Sequence, residues 1–535
     1  MASGHGRPKG TTRRGFVRTM TGVGLGAAGS RWLPRADPDE DVAVAAPALR
    51  RGGTLKIAEV GEPLTLDVTV TTADLTATIT LPVLEQLFAF DANWRYHASL
   101  VSAYTVSKDG LTYTFTLRGD VPFHNGKTMT PDDVVSSLNR WGRVNPRATP
   151  AVRNMESISA AGSDTVIIRL KGPYAPLLAL LALAGSPIMP KEIADTPGTQ
   201  PLKQIVGTGP YKLVEWAPDK YVRLARFDQY ASRTETPSFY AGRKDALADE
   251  IYYYPVSQVE ARIAGVQSGT YDIADQINSD AYAELAKDPR VDIGATPGSN
   301  VVFFLNTKQG MMTSVKMRQA VATALDMQAI MQATEGDPRI YAMGPSFYAK
   351  GSPWYTTAGA SMYNVHSVNQ AAALAKEAGY SGQTIRWLTT QQYDYMFKSS
   401  VVAAAQLHAA GFNVDLQVTE WASVLDRRSR PADWDVFVTG GGFSIVPDPG
   451  MNVSFSPTYP GWWDTPTKAA LLAQFLGETD PGKRFKLWAQ LQALTYSEVP
   501  FIVIGGFSTL NMSRKGLPGF RSLYWIVPWG VQVVK

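Results

Sequence analysis

The sequence predicts a mixed α/β (α+β) protein, and three stretches carry that prediction. Residues 111–118 read Leu-Thr-Tyr-Thr-Phe-Thr-Leu-Arg, so apolar side chains recur at every second position, as in a half-buried strand. Thr130-Pro-Asp-Asp places a side-chain cap and a first-turn proline before a helix at 132–141. Residues 384–418 alternate a strand, a helix and a second strand, which is the pattern of a βαβ unit.

The residues before position 300 predict mostly short elements. In order, these are a strand at 54–58, a helix at 74–90, the strand at 111–118, the helix at 132–141 and a strand at 165–170. Gly207-Thr-Gly-Pro-Tyr211 is typical of a turn that enters a strand. The two segments that follow, 211–216 and 222–226, predict a hairpin.

Strands and helices alternate more regularly after position 300. In order, the pattern predicts a strand at 301–306, a long helix at 315–332, a helix at 369–378, a strand at 384–388, a helix at 398–410, strands at 413–418 and 434–439, and a helix at 481–497. Gly379 directly follows one of these helices, as a C-terminal cap does. The alternation predicts an α/β domain in this part of the chain.

Composition excludes several classes of protein. With 535 residues, 45% of them hydrophobic and 18% charged, the chain is long enough for about three to four domain-sized units. It has no cysteine, which excludes disulfides, thiolate metal sites, a cysteine nucleophile and a lipid-modified N-terminal cysteine. Residues 1–45 hold seven Lys and Arg against four Asp and Glu, so the rest of a chain of net charge +4 is near +1. Nucleic acid and anionic membrane are therefore not predicted as partners.

The N-terminus predicts export by the twin-arginine route. Arg13 and Arg14 are followed by Phe16 and then by a weakly apolar, glycine-rich run at 19–29. That run is shorter than the ~20 apolar residues that span a bilayer, so it is interpreted as a targeting signal and not as a membrane anchor. The alternative is a disordered, arginine-rich leader. Cleavage is expected in the thirties or forties, which makes residues 1–45 a signal and lead-in.

The sequence offers no motif for catalysis or for a cofactor. Its five histidines are scattered, and neither a His-x-x-x-His pair nor a Gly-x-Ser-x-Gly elbow occurs. Gly126-Lys127-Thr128 imitates the end of a phosphate loop, but Val121 stands where that loop needs its first glycine. We therefore predict a protein that is not an enzyme and has no cofactor or metal. The 13 Trp and 23 Tyr favour instead a pocket lined with rings.

Several blocks of sequence, taken together, resemble one known family. They are Leu100-Val-Ser-Ala-Tyr-Thr-Val-Ser-Lys-Asp-Gly-Leu-Thr-Tyr-Thr-Phe-Thr-Leu-Arg118, Val121-Pro-Phe-His-Asn-Gly-Lys-Thr-Met-Thr-Pro-Asp-Asp-Val134, Gly207-Thr-Gly-Pro-Tyr211, Met317-Arg-Gln-Ala-Val-Ala-Thr-Ala-Leu-Asp326, Ala375-Lys-Glu-Ala-Gly-Tyr380 and the segment 434–449. In this order they resemble the extracytoplasmic solute-binding proteins of peptide/nickel-type ABC importers, family 5.

The resemblance implies a fold of the periplasmic-binding-protein type II class, in its large three-domain variant. Two lobes would be joined by a hinge and separated by a cleft. The first lobe would combine a core domain (50–90, 205–298 and 500–535) with an inserted domain (91–204), and the second lobe would span 299–499. The hinge would lie near Gly298–Asn300 and Val499–Pro500, where glycine and proline interrupt regular structure.

The same resemblance implies a function. The protein would capture a peptide or peptide-like solute in the cleft and deliver it, unaltered, to an ABC permease and its ATPase subunits. It would be a soluble, periplasmic or extracytoplasmic monomer, exported by the twin-arginine machinery and not a lipoprotein. The alternatives are a non-peptide solute such as an oligosaccharide or an opine-like conjugate, a secreted hydrolase that uses a dispersed carboxylate pair, and a chaperone or signalling receptor on the same fold.

The resemblance also implies a set of ligand-binding residues. They are Thr71, Thr72, Asp74, Trp387, Tyr393, Trp421, Gly440, Gly441, Gly442, Phe443 and Ser444. Peptide binders of this family hold the peptide's ammonium with an aspartate just before an acidic-Pro pair, and an ungapped alignment places Ile445 at that position. Asp448 is a substitute only if the loop is shifted; otherwise it caps a turn before Pro449.

Overall fold

The computed structural model describes residues 50–443 and 446–533. The predicted export signal, with Arg13, Arg14 and Phe16, lies outside the described residues, and so does Ser444.

The strands form one large mixed sheet and two small antiparallel sheets. They are β1 (Thr54–Glu59), β2 (Phe88–Phe90), β3 (Tyr96–Ala98), β4 (Val101–Val106), β5 (Thr112–Leu117), β6 (Met155–Ala161), β7 (Thr165–Leu170), β8 (Tyr211–Ala217), β9 (Tyr221–Arg226), β10 (Glu250–Pro255), β11 (Ile273–Ala274), β12 (Val291–Leu305), β13 (Tyr341–Ala342), β14 (Thr384–Thr389), β15 (Asn413–Val418), β16 (Val436–Gly440) and β17 (Phe501–Arg514).

Helices pack on these sheets throughout the described chain. They are α1 (Asp74–Thr80), α2 (Pro131–Val144), α3 (Thr149–Asn154), α4 (Leu177–Leu180), α5 (Lys191–Ala194), α6 (Val259–Gln267), α7 (Ser279–Leu285), α8 (Val315–Ala324), α9 (Met327–Glu335), α10 (Val368–Glu377), α11 (Asp394–Ala409), α12 (Trp421–Arg427), α13 (Pro466–Gly477) and α14 (Pro481–Glu498). Within 50–443 and 446–533, none of them combines the length and apolar character needed to span a membrane.

A ribbon of two long strands joins the halves of the large sheet. β12 and β17 pair antiparallel, and the sheet order is β15-β14-β16-β12-β17-β11-β1-β10-β9-β8, with β13 added on β17. The first lobe carries β1, β8–β11 and the four-stranded sheet β4-β5-β7-β6, whereas the second lobe carries β14–β16. The pairing of the ribbon shifts register between Pro297 and Asn300, at the first predicted hinge segment.

The second predicted hinge segment, Val499 and Pro500, lies just before β17, whereas the partners of Pro297 and Asn300 in the ribbon are Ser508 and Gly506. The position of the hinge stays a prediction.

The main clusters of buried apolar residues are divided between the two lobes. One large cluster of buried apolar residues joins β1 and β8–β10 to the four-stranded sheet. In the second lobe, β12 is buried on both faces: Val301, Phe303 and Leu305 enter one cluster, and Val302 and Phe304 enter another. This is why residues 301–305 read as a continuous apolar run and not as an alternating one.

Local signals place most of the elements correctly. The alternating segment forms β5 with alternate residues buried, and β15 coincides with the predicted strand. At α2, the Thr130 side chain accepts a hydrogen bond from the Asp133 backbone N–H, and the Asp133 side chain accepts one from the Thr130 backbone N–H. The helix therefore begins with the capping box that the sequence indicates.

Two long predicted helices are wrong in length. The helix predicted at 74–90 ends at Thr80, two residues before Pro82, whose nitrogen has no N–H to continue the helical hydrogen bonds. The helix predicted at 315–332 is two helices, because the Asp326 side chain accepts a hydrogen bond from the Ala329 backbone N–H and starts α9. A side chain suited to an N-cap therefore divides an otherwise helical pattern.

Candidate functional site

A cavity of about 130 Å³ lies between the two lobes. The first lobe contributes residues 92–94, from the turn between β2 and β3, together with Pro297 of the ribbon. The second lobe contributes 348–352 and 446–447. Because a ligand in this cavity would contact both lobes, its binding would favour their closed arrangement.

A chain of aromatic rings leads from this cavity into the first lobe. Trp94, which lines the cavity, lies 5.0 Å from Phe239 between ring centroids, and Phe239 lies 4.3 Å from Tyr240. The ring of Tyr240 is 5.6 Å from that of Trp525, and its hydroxyl accepts a 2.9 Å hydrogen bond from the Trp525 backbone N–H. Ring contacts thus connect Trp94, at the cavity, with Trp525, whose indole N–H donates to Asp74.

Asp74, at the start of α1, lies at the far end of this chain of rings. One of its carboxylate oxygens accepts a 2.8 Å hydrogen bond from the Tyr524 hydroxyl, and the other accepts a 2.9 Å bond from the Trp525 indole N–H. Both donors are neutral. The carboxylate is oriented by them, and it keeps lone pairs for a further donor.

Tyr395 of α11 is the residue of the second lobe that lies opposite Asp74 and its hydrogen-bond donors. The Tyr395 ring packs on Phe507 at 4.9 Å, and its hydroxyl lies beside Gly440. Burial raises the pKa of both Tyr395 and Tyr524 well above the ordinary range, and the Asp74 carboxylate raises the pKa of Tyr524 further. These hydroxyls are therefore neutral hydrogen-bonding groups at any physiological pH.

The predicted glycine loop is tied to the β12–β17 ribbon. The Gly442 N–H donates to the Ser299 hydroxyl at 2.9 Å, and the Gly441 N–H donates to the Asn300 carbonyl at 2.8 Å. A Cβ on Gly441 would lie 2.3 Å from Val302. The glycines are thus needed for close approach, but the group that they approach is the strand at the crossing between the lobes.

Two predicted site residues lie in the core instead. Trp387 is fully buried, its indole N–H donates to Ser400, and its ring packs on Phe303. Phe443 is also fully buried, among the rings of the second lobe. Trp387 and Phe443 are therefore not pocket residues in this structure. The amino-acid composition shows that the chain is rich in aromatic rings, but it does not show whether a given ring faces a cleft or a core.

The remaining predicted residues lie at surfaces near the lobe boundary. Tyr393 is exposed, and its ring lies 5.2 Å from that of Trp421 and 6.2 Å from that of Tyr395. In the first lobe, the Thr71 hydroxyl accepts a hydrogen bond from the Ala73 N–H, and Thr72 is exposed. The structure thus brings Tyr393 and Trp421 together, and it keeps both threonines on the loop that precedes Asp74.

Asp448 is committed to a structural role. One of its oxygens accepts hydrogen bonds from the Gly450 N–H and from the Arg484 guanidinium, each at 2.8 Å, and the second oxygen also binds Arg484. Both side chains are buried. Asp448 therefore caps the turn before Pro449 and is not available to a ligand's ammonium group.

Sequence reasoning missed Arg147, Tyr524 and Trp525. Arg147 follows α2; burial lowers its pKa, and the charges of Asp74 and Tyr524 oppose that shift. The aromatic pair belongs to the C-terminal segment, 450 residues away from Asp74 in the chain. A Tyr-Trp pair near the chain end was visible in the sequence, but nothing in its spacing indicated a carboxylate partner.

A cavity enclosed by two lobes on a common sheet defines a two-lobe ligand-binding protein. The model of the family "Bacterial extracellular solute-binding proteins, family 5 Middle" matches residues 95–462. The chain therefore belongs to family 5 of the bacterial extracellular solute-binding proteins, with the type II fold that its sequence predicts.

Several known proteins are similar over most of the chain. The probable peptide ABC transporter periplasmic-binding protein y4tO of Sinorhizobium fredii is 26% identical over 87% of this chain and 91% of its own. The glutathione-binding protein GsiB of Salmonella typhimurium is 26% identical over 83% of this chain and 86% of its own. The structure of AgaA from A. tumefaciens R10 with agropinic acid has a TM-score of 0.74 at 26% identity, and the match covers 90% of this chain and 99% of AgaA.

Proposed function

We propose that this protein captures a peptide or peptide-like solute between its lobes and delivers it to the permease of an ABC importer and its ATPase subunits. The observation that carries the proposal is the interlobe cavity, because only a cavity with walls from both lobes links binding to closure. The similar proteins named for a peptide and for glutathione support the peptide-like class. The agropinic acid complex favours the alternative of an opine-like solute.

The size of the cavity constrains the solute. Ligand pockets are commonly about 300–1,000 Å³, and a cavity of about 130 Å³ is smaller than this. In this arrangement it accommodates a group about the size of one side chain. A longer peptide requires the lobes to separate further, so the geometry favours a short solute.

Closure needs contacts that do not involve the solute. The Ala175 N–H donates across the lobes to the Leu476 carbonyl at 2.9 Å, and Lys398 pairs with Asp280 at 2.8 Å. An exposed ion pair of this kind contributes about 1 kcal/mol or less. A solute with different affinities for the open and closed states shifts the balance between them.

We retain the predicted domain boundaries with one change. The first lobe comprises 50–90, 205–298 and the C-terminal segment, with 91–204 inserted, and the second lobe begins at 299. The end of the second lobe moves from 499 to about 505, because the strand partners at the crossing are Gly506–Ser508. The binding residues that we retain are Thr71, Thr72, Asp74, Tyr393, Trp421, Gly440, Gly441, Gly442 and Ser444.

We further propose that a twin-arginine signal exports the chain and that the mature protein acts as a soluble monomer. The pair Arg13 and Arg14, with Phe16, supports the route. The absence of cysteine supports a form without a lipid anchor.

The experiment is a binding and turnover assay on the purified protein. Glutathione, the dipeptide Met-Leu and agropinic acid are titrated by calorimetry, and mass spectrometry then examines each probe for chemical change. We expect saturable binding of at least one probe and its recovery intact. Conversion of a probe, abolished by a single Asp or Glu substitution, would establish the hydrolase instead. If no probe binds and no small molecule co-purifies with the protein, the proposal is wrong.

A further inference from the structure

Trp94 brings a large aromatic ring to the interlobe cavity from a backbone position that favours glycine. It is the last residue of the three-residue turn between β2 and β3. There the Trp94 N–H donates to the Asp91 carbonyl at 3.0 Å, and the Asp91 N–H donates to the Arg95 carbonyl at 2.9 Å. The last residue of such a turn is left-handed, and glycine suits it best. Trp94 has a φ of +58°, so its backbone is strained.

The ring next to Trp94 comes from a second turn of this kind. Ser238 and Ala241 exchange two backbone hydrogen bonds, of 3.0 and 2.9 Å, around a two-residue turn. Phe239 is the first residue inside that turn and has a φ of +55°, where glycine is again favoured. The ring centroids of Trp94 and Phe239 are 5.0 Å apart. Turn chemistry explains neither aromatic residue, and strained residues of this type concentrate at ligand-binding sites.

The two turns are tied together, which fixes the indole ring. The Ala92 N–H donates to the Ser238 hydroxyl at 3.3 Å, and the Tyr240 N–H donates to the Phe90 carbonyl at 3.0 Å. The ring of Trp94 also packs on that of Phe90, at 5.6 Å between centroids. The ring is therefore positioned before a solute arrives, and little conformational freedom is lost when a solute contacts it.

The second lobe completes the cavity with apolar residues that are also fixed. Val446 and Pro447 line it, and so does Trp94 from the first lobe. The Pro447 carbonyl accepts a 2.9 Å hydrogen bond from the Trp354 indole N–H, and the Val446 N–H donates to the Gly442 carbonyl at 2.9 Å. An apolar group in the cavity would thus be removed from water by both lobes together, which favours the closed arrangement.

The charge of the cavity disfavours a cationic group. Among the described residues that line it, Lys350 is the only charged one, and its side chain is exposed. A cationic side group of the solute would therefore meet an ammonium group and no carboxylate, and a cation that leaves water without a counter-ion is unfavourable. The cavity suits a neutral group.

We infer that Trp94 is a specificity-determining residue, and that the solute places a neutral apolar side group, of the size of one amino-acid side chain, against its indole ring in the interlobe cavity. The inference rests on the proposed function and narrows its solute class. Burial of an apolar group against an aromatic ring contributes favourably to binding. A strained tryptophan that costs stability is then retained for what it contributes to binding.

The first test changes the probe and uses the purified wild-type protein. The dipeptides Met-Leu, Met-Ala and Ala-Leu are titrated by calorimetry. At least one shortened dipeptide should bind about 10-fold or more weakly than Met-Leu, because it leaves the cavity without its apolar group. Lysine in place of the same side chain should weaken binding at least as much as alanine does.

The outcomes of this test separate the inference from the proposed function. If Met-Ala and Ala-Leu both bind within about twofold of Met-Leu, or if lysine tightens binding, the inference is wrong. It is also wrong, while the proposed function stands, if glutathione or agropinic acid binds and Met-Leu does not, or if a co-purifying solute carries no apolar side group. If no probe binds and no small molecule co-purifies, both are wrong.

The second test changes the ring. Trp94→Gly removes the indole and suits the left-handed turn, whereas Trp94→Phe keeps a smaller ring. Asp219→Gly is the matched backbone control, because Asp219 is exposed, has a φ of +59° and does not line the cavity. Trp94→Gly should weaken Met-Leu binding by about 10-fold or more, Trp94→Phe should weaken it less, and Asp219→Gly should bind within about twofold of the wild type.

Combining the two changes distinguishes contact from a purely structural effect. In Trp94→Gly, the shortened dipeptide should bind almost as well as Met-Leu, because the loss of the ring and the loss of the side group remove the same interaction. If the two losses simply add, Trp94 does not contact the solute and the inference is overturned. Should Trp94→Gly fail to fold, Trp94→Phe provides the same comparison with a smaller coupling.

Discussion

Replacing Asp448 by asparagine should destabilise the protein without removing recognition of the solute's amine. The Asp448 carboxylate forms two hydrogen bonds with Arg484, and both side chains are buried. Arg484 also packs over the ring of Phe475 at 4.3 Å from its centroid and over Trp354 at 5.1 Å. The variant therefore leaves a guanidinium without its counter-ion in an apolar, aromatic environment.

The expected loss of stability follows from the burial of the Asp448–Arg484 pair. Removing one partner of a buried ion pair costs about 3–5 kcal/mol, and the amide retains one acceptor, so we expect about 3 kcal/mol. Unfolding entropy is about 2.1 cal/mol/K per residue. Over the unit Ala48–Lys535, this is about 1 kcal/mol/K, so the melting temperature should fall by about 3 °C.

The assay is calorimetric unfolding of the wild type, Asp448→Asn, Arg484→Met and the double variant. The double variant should recover much of the loss, because methionine suits the aromatic site and no charge remains unpaired. Unchanged stability in Asp448→Asn, together with loss of binding for the amine-bearing probe alone, would refute the reasoning. Asp448 would then be the ligand's partner after all.

Three further predictions concern other parts of the chain. Gly441→Ala should lower the free energy of unfolding by about 1–3 kcal/mol in urea, because its Cβ would lie 2.3 Å from buried Val302; an unchanged midpoint would contradict this. Glu335 is buried, and burial raises its pKa from 4.5 to about 7, so the folded state holds this proton more tightly and its contribution to stability falls as pH rises from about 4.5 to 7. Glu335→Gln should therefore be less pH-sensitive than the wild type over that interval in pH-dependent melting, and equal slopes would contradict this. Changing Arg13 and Arg14 to lysine should retain the precursor inside the cell in a fractionation experiment, and normal export would contradict the twin-arginine assignment.

Elements with local causes could be predicted from the sequence. A period of two, a side-chain cap or a terminal glycine acts within a few residues, so β5, α2 and the end of α10 at Gly379 follow from the sequence alone. The errors arose where two local signals competed. At Asp326, helical periodicity continued on both sides of a residue whose side chain starts a new helix.

The binding site could be predicted only in part, because its residues are brought together over long distances in sequence. Asp74 came from the family resemblance, whereas its hydrogen-bond donors Tyr524 and Trp525 are 450 and 451 residues away. No local pattern encodes such a contact. The prediction of Trp387 as a pocket residue was wrong for a different reason. Its strand is buried on both faces, so a ring near the strand end faces the core and not the cleft.

The glycine loop and the ribbon form one mechanical unit, and this connects the site to closure. Gly442 and Gly441 donate hydrogen bonds to Ser299 and Asn300, next to the register shift of β12. A change in backbone torsions at the crossing between the lobes therefore moves the loop together with the strand. Since a ligand shifts the equilibrium only by its differential affinity for the two states, residues on this unit favour closure only if their contacts with the solute differ between the open and closed forms.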